Sequence, residues 1–536
     1  MVVAALSLPL LAQSASGLSG AGEGAESLSR PVRSCETLLA VAFEDGARVT
    51  SAVTVPATAD VPEHCQLTVV VPERINILVA LPTKTWNGRY LALGNGGYAG
   101  APMGAIKQPS DAVADGYVGS VTDTGHSSTQ FNGEWAWSPT GMNYAQIQDF
   151  AYRANHEMAV KSKRMIEAYY GQGPAYSYWD GCSTGGREGL TEAMRYPDDF
   201  DGVVAGAPAI NWTRFIPAGL WPQVAMQAGN RLPACKLAEF VQAFRSACDP
   251  IDGLKDGLYD PRACSFDPDS LIGAQTDCGV ITATDAEVVA EIWRGPHRRT
   301  GERLWYGLYP GTDVGSTPAF TLGYSVPDTD GSVGDGLPFP VATEWFKWWL
   351  RKDPTWDWHT ETPAQFEADF DQSVVEWADV LSTNSPDLSA FKESGGKMVI
   401  WHGMSDPLLF PQGSIDYYKR VIAHMGGLTR TQDFARLFLA PNVGHCGNLI
   451  PQFENGPTPD DPLAAVVDWV ENGKPPATLQ TSLQPRTGVN PTSEAMTRPL
   501  CPYPTVASYV GTGSTVEASN FACKKSRWSD QVEVQE

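Results

Sequence analysis

Gly181-Cys182-Ser183-Thr184-Gly185 is the stretch that leaves this chain the fewest ways to fold. A serine between glycines at this spacing suits a tight turn from a strand into a helix, with the hydroxyl exposed at its top. The glycines are needed because such a turn has no room for a Cβ beside the hydroxyl. Three fixed positions in five recur by chance, so the flanking sequence has to carry the case. Residues 175–180 read as a strand, Thr184–Arg195 as the helix that follows, and 201–207 as a further strand. Strand, helix and strand around a glycine turn imply a parallel α/β sheet.

The same alternation flanks a long interruption. Residues 75–81 and Arg89–Leu93 read as strands, the second broken by Gly94-Asn95-Gly96-Gly97, and 116–121 as a third. Residues 149–170 have helical spacing of Phe150, Ala154, Met158, Met165 and Ile166. From Asn211 to about Ser385 the chain turns rich in Trp, Pro and Asp, including the dense aromatic run Trp345-Phe346-Lys347-Trp348-Trp349. Strand character returns at Lys397–Gly403 and Ala435–Ala440. At 536 residues more than one folding unit is expected. The division implied is a leader and linker over 1–34, a first catalytic part over 35–210, a lid over 211–385 and a second catalytic part over 386–536. The middle reads as an inserted domain, and in an α/β-hydrolase fold a large insert, or lid, at this place would sit over the strand C-termini, where sites of such sheets lie.

Composition narrows the partners. Asp and Glu number 61 against 38 Lys and Arg, a net charge of -23, so phosphate backbones would repel the chain and nucleic acid is excluded as a partner. Acidity that keeps an exported protein soluble is the simpler account. Residues 1–12 are apolar and small residues follow to Gly20, as in a signal-peptide core and cleavage zone, although no Lys or Arg precedes them. No later stretch is long and apolar enough to span a bilayer, so no membrane partner is expected. The ten cysteines include no C-x-x-C pair, which argues against zinc; an even count behind an export-like leader implies disulfides and a secreted or periplasmic location. Oligomeric state is left open.

Ser183 as a nucleophile needs a base within hydrogen-bond reach and an acid to orient that base. Of the eight histidines, His445 lies in Pro441-Asn442-Val443-Gly444-His445-Cys446-Gly447, a loop directly after a strand. Asp406, in His402-Gly403-Met404-Ser405-Asp406-Pro407, also follows a strand. The order Ser183, Asp406, His445 is the one expected for this fold. Asp416 is the nearest rival acid, but it falls in a helical stretch where a surface charge is the plainer reading. Cys182 precedes Ser183 and Cys446 follows His445. If serine and base are hydrogen-bonded, those cysteines come within bonding range, with Cα atoms ~4.4–6.8 Å apart. A Cys182–Cys446 bridge would lock nucleophile and base together.

With these residues in place the chain resembles the tannase/feruloyl esterase family. The resemblance rests on Gly181-Cys182-Ser183-Thr184-Gly185-Gly186-Arg187, on residues 195–209, and on the pairing of Cys182-Ser183 with Asp406 and His445-Cys446; it runs from about Cys35 to Cys523. It implies an α/β-hydrolase domain, a lid that shapes specificity, and hydrolysis of esters of aromatic acids, in the manner of feruloyl esterases, tannases or a terephthalate monoester hydrolase. A small aromatic ester is then the expected partner. The oxyanion hole would use the amide of Thr184, the residue after the nucleophile. A second amide would come from the glycine turn, from Gly96 or Gly97.

Residues 248–260 crowd acids among glycines. Asp249, Asp252 and Asp256, with carbonyls of Leu254 and Leu258, could act as hard oxygen ligands or form an ordinary acidic loop. An EF-hand is disfavoured because Ile251 and Gly253 would occupy its third and fifth positions. The resemblance implies a structural Ca2+ in the lid at these five positions. Cys248 with Cys264 would close that loop, Cys501 with Cys523 would staple the C-terminus, and Cys35 with Cys65 is plausible. Cys235 with Cys278 remains by elimination, and the short cysteine pair that the family often carries after the calcium loop is not evident. Asn211-Trp212-Thr213 is a glycosylation sequon, meaningful only in a eukaryotic secretory host. Arg351 and Lys347 could meet a substrate carboxylate or be solvated charges. A peptidase or other acyl-transfer enzyme, and a binding protein on a hydrolase scaffold, are the rival functions; the second would be expected to have lost a triad member.

Overall fold

The computed structural model describes residues 30–72, 74–100, 107–312, 325–327, 333–447, 456–484 and 495–526. The apolar leader lies outside them. The sheet strands are β1 (Arg48–Val55), β2 (His64–Val71), β3 (Ile75–Pro82), β4 (Arg89–Leu93), β5 (Val118–Thr122), β6 (Tyr176–Cys182), β7 (Gly202–Gly206), β8 (Lys397–Gly403) and β9 (Ala435–Ala440). They form one sheet in the order β1-β2-β3-β5-β4-β6-β7-β8-β9. Pairing is antiparallel from β1 to β3 and between β3 and β5, then parallel from β5 through β9. The crossing of β4 and β5 and the run of parallel strands are those of an α/β-hydrolase.

Side chains on the parallel strands alternate between two cores, as a two-residue period requires. Trp179 of β6, Val203 and Ala205 of β7, and Met398 and Ile400 of β8 face one apolar cluster. Tyr178, Val204, Val399 and Trp401 face the other, completed by Val466 and Trp469 of the helix Pro462–Asn472. The helices α1 (Ala154–Tyr170) and α2 (Thr184–Arg195) belong to the first side.

Between β7 and β8 the described residues add no strand to this sheet and build helices, among them Trp212–Ala218, Ala234–Cys248, Ala283–Arg294 and Pro363–Leu381. Phe244, Cys248 and Tyr259 of this insert form a small apolar cluster of their own, but most of its buried side chains join the core of the sheet. Trp212, Trp345, Trp349 and Phe366 belong to the same cluster as the strand residues. Tyr98, just after the glycine turn, stacks on Trp349 (6.1 Å between ring centres) and meets Trp212 edge-on (5.5 Å). Trp345 and Trp349 are fully buried, so the aromatic run welds the insert to the sheet instead of presenting free rings to a ligand. Arg351 is not available for a substrate carboxylate either, since it pairs with Asp369 (2.6 Å) and Glu361 (3.3 Å). The sequon also fails as a surface feature, because Asn211 is buried and accepts from Asn384 Nδ2 (2.8 Å).

Candidate active site

Each predicted triad and oxyanion residue sits just past the C-terminal end of a parallel strand: Gly96 and Gly97 after β4, Ser183 and Thr184 after β6, Asp406 after β8 and His445 after β9. Parallel pairing therefore collects them along one edge of the sheet.

Ser183 has φ 66° and ψ −125°, a positive-φ conformation outside the left-handed helical well, costing on the order of 1–3 kcal/mol for a non-glycine residue. The surroundings enforce it. Its amide donates to Gly206 O (2.9 Å), and its carbonyl accepts from Arg187 N (3.1 Å) and Ala209 N (3.0 Å). Glycine is required where backbones touch: a Cβ on Gly181 would lie 2.5 Å from Gly185 O, and one on Gly94 would lie 2.5 Å from Gly185 Cα. The turn after β4 is thereby pressed onto the elbow. Gly185 N donates to Asn95 O (2.7 Å) and the Thr184 hydroxyl to Gly97 O (2.5 Å). The structure thus brings Thr184, Gly96 and Gly97 together beside Ser183.

His445 Nδ1 lies 2.7 Å from Asp406 Oδ2, and both side chains are buried. Asp406 Oδ1 accepts the amides of Leu408 (2.8 Å) and Leu409 (2.9 Å). Burial would raise the Asp406 carboxyl, but the facing His445 and the hydrogen bonds from His402 and His445 outweigh it and hold the group well below the usual carboxylate range. Asp416, the rival acid, is occupied by Arg420 Nε (3.0 Å). Cys182 and Cys446 are bonded, with Cα atoms 5.9 Å apart, so Ser183 and His445 each flank one end of a covalent tie.

All five expected cysteine pairs form: Cys35–Cys65, Cys182–Cys446, Cys235–Cys278, Cys248–Cys264 and Cys501–Cys523. The acidic loop leaves Cys248 as a short turn, Asp249–Asp252. Asp249 accepts Gly257 N (2.8 Å), Asp252 accepts Leu254 N (2.9 Å) and Asp256 accepts Leu258 N (3.1 Å). Arg498 pairs with the other oxygen of Asp256. As oxygen donors this set suits a hard cation, and Asp249 and Asp252 are raised by burial and by the charge of Asp256, a repulsion that a cation would relieve. The three carboxylates are not drawn to one point. Among the described residues the three-ligand set that converges within 4.8 Å is His156, Glu192 and Asp199. There His156 Nδ1 meets Asp199 at 2.6 Å, and burial together with the Asp199 charge pushes the Glu192 carboxyl well above its usual range.

Four supporting residues were not picked out from the sequence. Glu188 is buried under the glycine turn and accepts Asn95 N (2.9 Å). Beside it Arg187, lowered to about 10 by burial, caps the carbonyls of Phe150 (2.9 Å) and Ala151 (3.2 Å). Two adjacent charges in the first turn of a helix expected to be buried were the available signal. His402 Nε2 reaches Asp406 Oδ2 at 3.1 Å; its position four residues before Asp406 was visible, but a strand residue gave no hint of it. Asn442 bridges to the acidic loop, accepting Tyr259 N (3.1 Å) and donating to Gly257 O (2.6 Å), a contact across 183 to 185 residues that no local pattern encodes.

Known proteins share this architecture. The family model described as Tannase and feruloyl esterase matches residues 64–524. A Probable feruloyl esterase of Arthroderma benhamiae is 38% identical over 459 residues, 84% of this chain and 82% of its own length. A Mono(2-hydroxyethyl) terephthalate hydrolase of Piscinibacter sakaiensis is 30% identical over 544 residues, covering 87% of this chain and 86% of that protein. Among solved structures, feruloyl esterase B from Aspergillus oryzae superposes with a TM-score of 0.75 at 27% identity, covering 91% of this chain and 99% of that one. Tannin acyl hydrolase from Aspergillus niger gives 0.77 at 25% identity, covering 91% and 93%. The chain belongs to the tannase and feruloyl esterase family and is a carboxylic ester hydrolase.

Proposed function

We propose that the protein is a secreted serine esterase that cleaves esters of aromatic acids through an acyl-enzyme, with feruloyl-type esters as the first substrate class. The observation that carries the mechanism is the Asp406–His445 hydrogen bond on a loop covalently tied, through Cys446 and Cys182, to the strained turn of Ser183. His445 Nε2 takes the Ser183 proton as the hydroxyl oxygen attacks the ester carbonyl. The Thr184 amide and an amide of the Gly96-Gly97 turn receive the developing oxyanion. His445 returns the proton to the leaving alcohol, then takes one from the water that attacks the acyl-serine and hands it to Ser183 Oγ as the acid departs. Asp406 fixes the His445 tautomer and balances its transient charge. Relatives bearing feruloyl esterase names support the substrate class, and tannin acyl hydrolase and the terephthalate monoester enzyme make gallate and terephthalate esters the second reading. Five disulfides support an oxidising, extracytoplasmic setting.

Asp249, Asp252 and Asp256, with the carbonyls of Leu254 and Leu258, are proposed to hold a structural Ca2+, which when bound supplies positive charge to cross-link the loop. Chromatographic hydrolysis of methyl ferulate, methyl gallate and a terephthalate monoester, with Ser183→Ala as control, tests the reaction and ranks the acids. Turnover retained by a folded Ser183→Ala protein would overturn the nucleophile assignment.

A further inference from the structure

Asp406 carries one more hydrogen-bond donor than a serine triad requires. Oδ1 is filled by two backbone amides, while Oδ2 faces His445 Nδ1 at 2.7 Å and His402 Nε2 at 3.1 Å. An ionised carboxylate offers about four acceptor sites, so all are taken. His402 sits at the end of β8, is 1% exposed, and turns its other ring nitrogen to Ser414 Oγ at 2.8 Å, on the helix Pro411–His424. For Oδ2 to accept from both rings, each must carry its hydrogen on the nitrogen facing Asp406. His402 is then the Nε2–H tautomer, and its Nδ1 accepts the Ser414 hydroxyl.

We propose that His402 is a positioning residue of the esterase site, which acts through Asp406 by holding its carboxylate in register with His445 and by taking a share of the charge on Oδ2. The proposal rests on the triad reading above. Two consequences separate it from simple packing. The carboxylate cannot rotate about its terminal bond without breaking bonds on both oxygens, so the Nδ1–H of His445, and with it Nε2, stays aimed. In addition, a second donor on Oδ2 weakens the pull of Asp406 on the His445 proton. Without that donor the imidazolium is better stabilised by the less solvated carboxylate, and His445 surrenders its proton only at higher pH. The titratable groups facing the Asp406 carboxylate are His402 and His445; Asp416, farther along the Ser414 helix, is engaged by Arg420.

The test uses the full chain and follows kcat and KM against pH for a hydrolysable aromatic ester. His402→Leu keeps bulk and removes both hydrogen bonds. It is expected to move the acid limb of kcat/KM up by about 0.5 pH unit and to lower kcat about 10-fold, with KM unchanged. His402→Gln, whose amide nitrogen reaches about as far as Nε2, is expected to restore the wild-type limb. Should the leucine variant not fold, His402→Asn, whose shorter amide meets Ser414 but not Asp406, is expected to give the same displaced limb. A folded donor-less variant with an unmoved limb, or a glutamine variant displaced as far as leucine, overturns the proposal. Turnover by Ser183→Ala in the same assay would instead overturn the triad on which it rests.

Discussion

At the scale of single residues, Asp406 has the least freedom to change. Replacing it by Asn keeps an acceptor for Leu408 and Leu409 if the amide oxygen takes the Oδ1 place, but then sets an NH2 group against two imidazole N–H donors. His445 must flip its tautomer to avoid the clash, and kcat is expected to fall about 10⁴-fold with the fold retained. Rapid-mix hydrolysis beside a thermal melt checks both halves. Ser183, Asp406 and His445 were legible because each falls next to a strand end and a turn, which short sequence patterns report. Glu188 and Asn442 were not, since their partners Asn95 and Gly257 lie far along the chain. The choice between Gly96 and Gly97 stays at the level of the turn that presents both.

At the scale of elements, the insert holds the largest discrepancy between pattern and structure. Trp345, Phe346, Trp348 and Trp349 form the densest aromatic run of a segment expected to act as a lid, yet they pack into the sheet core, because area on that scale is most stabilising where water is excluded from both sides. The turn that carries them is followed by Arg351, which ties Glu361 to Asp369 on the helix Pro363–Leu381. Burial and the neighbouring Asp369 push the Glu361 carboxyl from 4.5 up to about 7. The folded protein therefore keeps this proton over a range where the unfolded chain has lost it. Stability from this site is full below about pH 4.5 and is lost as pH rises to about 7. Glu361→Gln is expected to flatten that fall, measured as melting temperature across the interval. An unchanged slope would place the pH dependence elsewhere. The strands β3 to β9, by contrast, were legible to within about two residues, since each is a short run rich in apolar residues, whereas β1 and β2 were not delimited.

At the scale of the whole molecule, the site depends on joins between distant parts. Cys182–Cys446 closes 264 residues and spans the insert, so its removal is expected to cost about 2–4 kcal/mol and to lower kcat as the His445 loop drifts. Replacing both Cys501 and Cys523 by Ser, which opens a span of only 22 residues, is expected to lower the melting temperature while kcat of the folded fraction holds. The acidic loop reaches the His445 loop through Asn442, so chelation with EDTA is expected to reduce both melting temperature and kcat. Asn442→Gly, which suits the φ of 59° found there, is expected to leave the chelation-induced melting shift but uncouple kcat from it. These long joins are what a sequence read in short windows conceals, apart from the one that two cysteines announce.

The span of that bridge also sets an order of manufacture. At ~5–20 residues per second the ribosome delivers Cys446 roughly 13 to 50 s after Cys182. Cys235, Cys248, Cys264 and Cys278 all emerge in the interval, each able to capture the waiting thiol. The native bond is therefore made late, and by exchange whenever an early partner has intervened, so active yield follows the thiol-isomerase capacity of the producing compartment. Until then the nascent chain carries its serine without a tethered base.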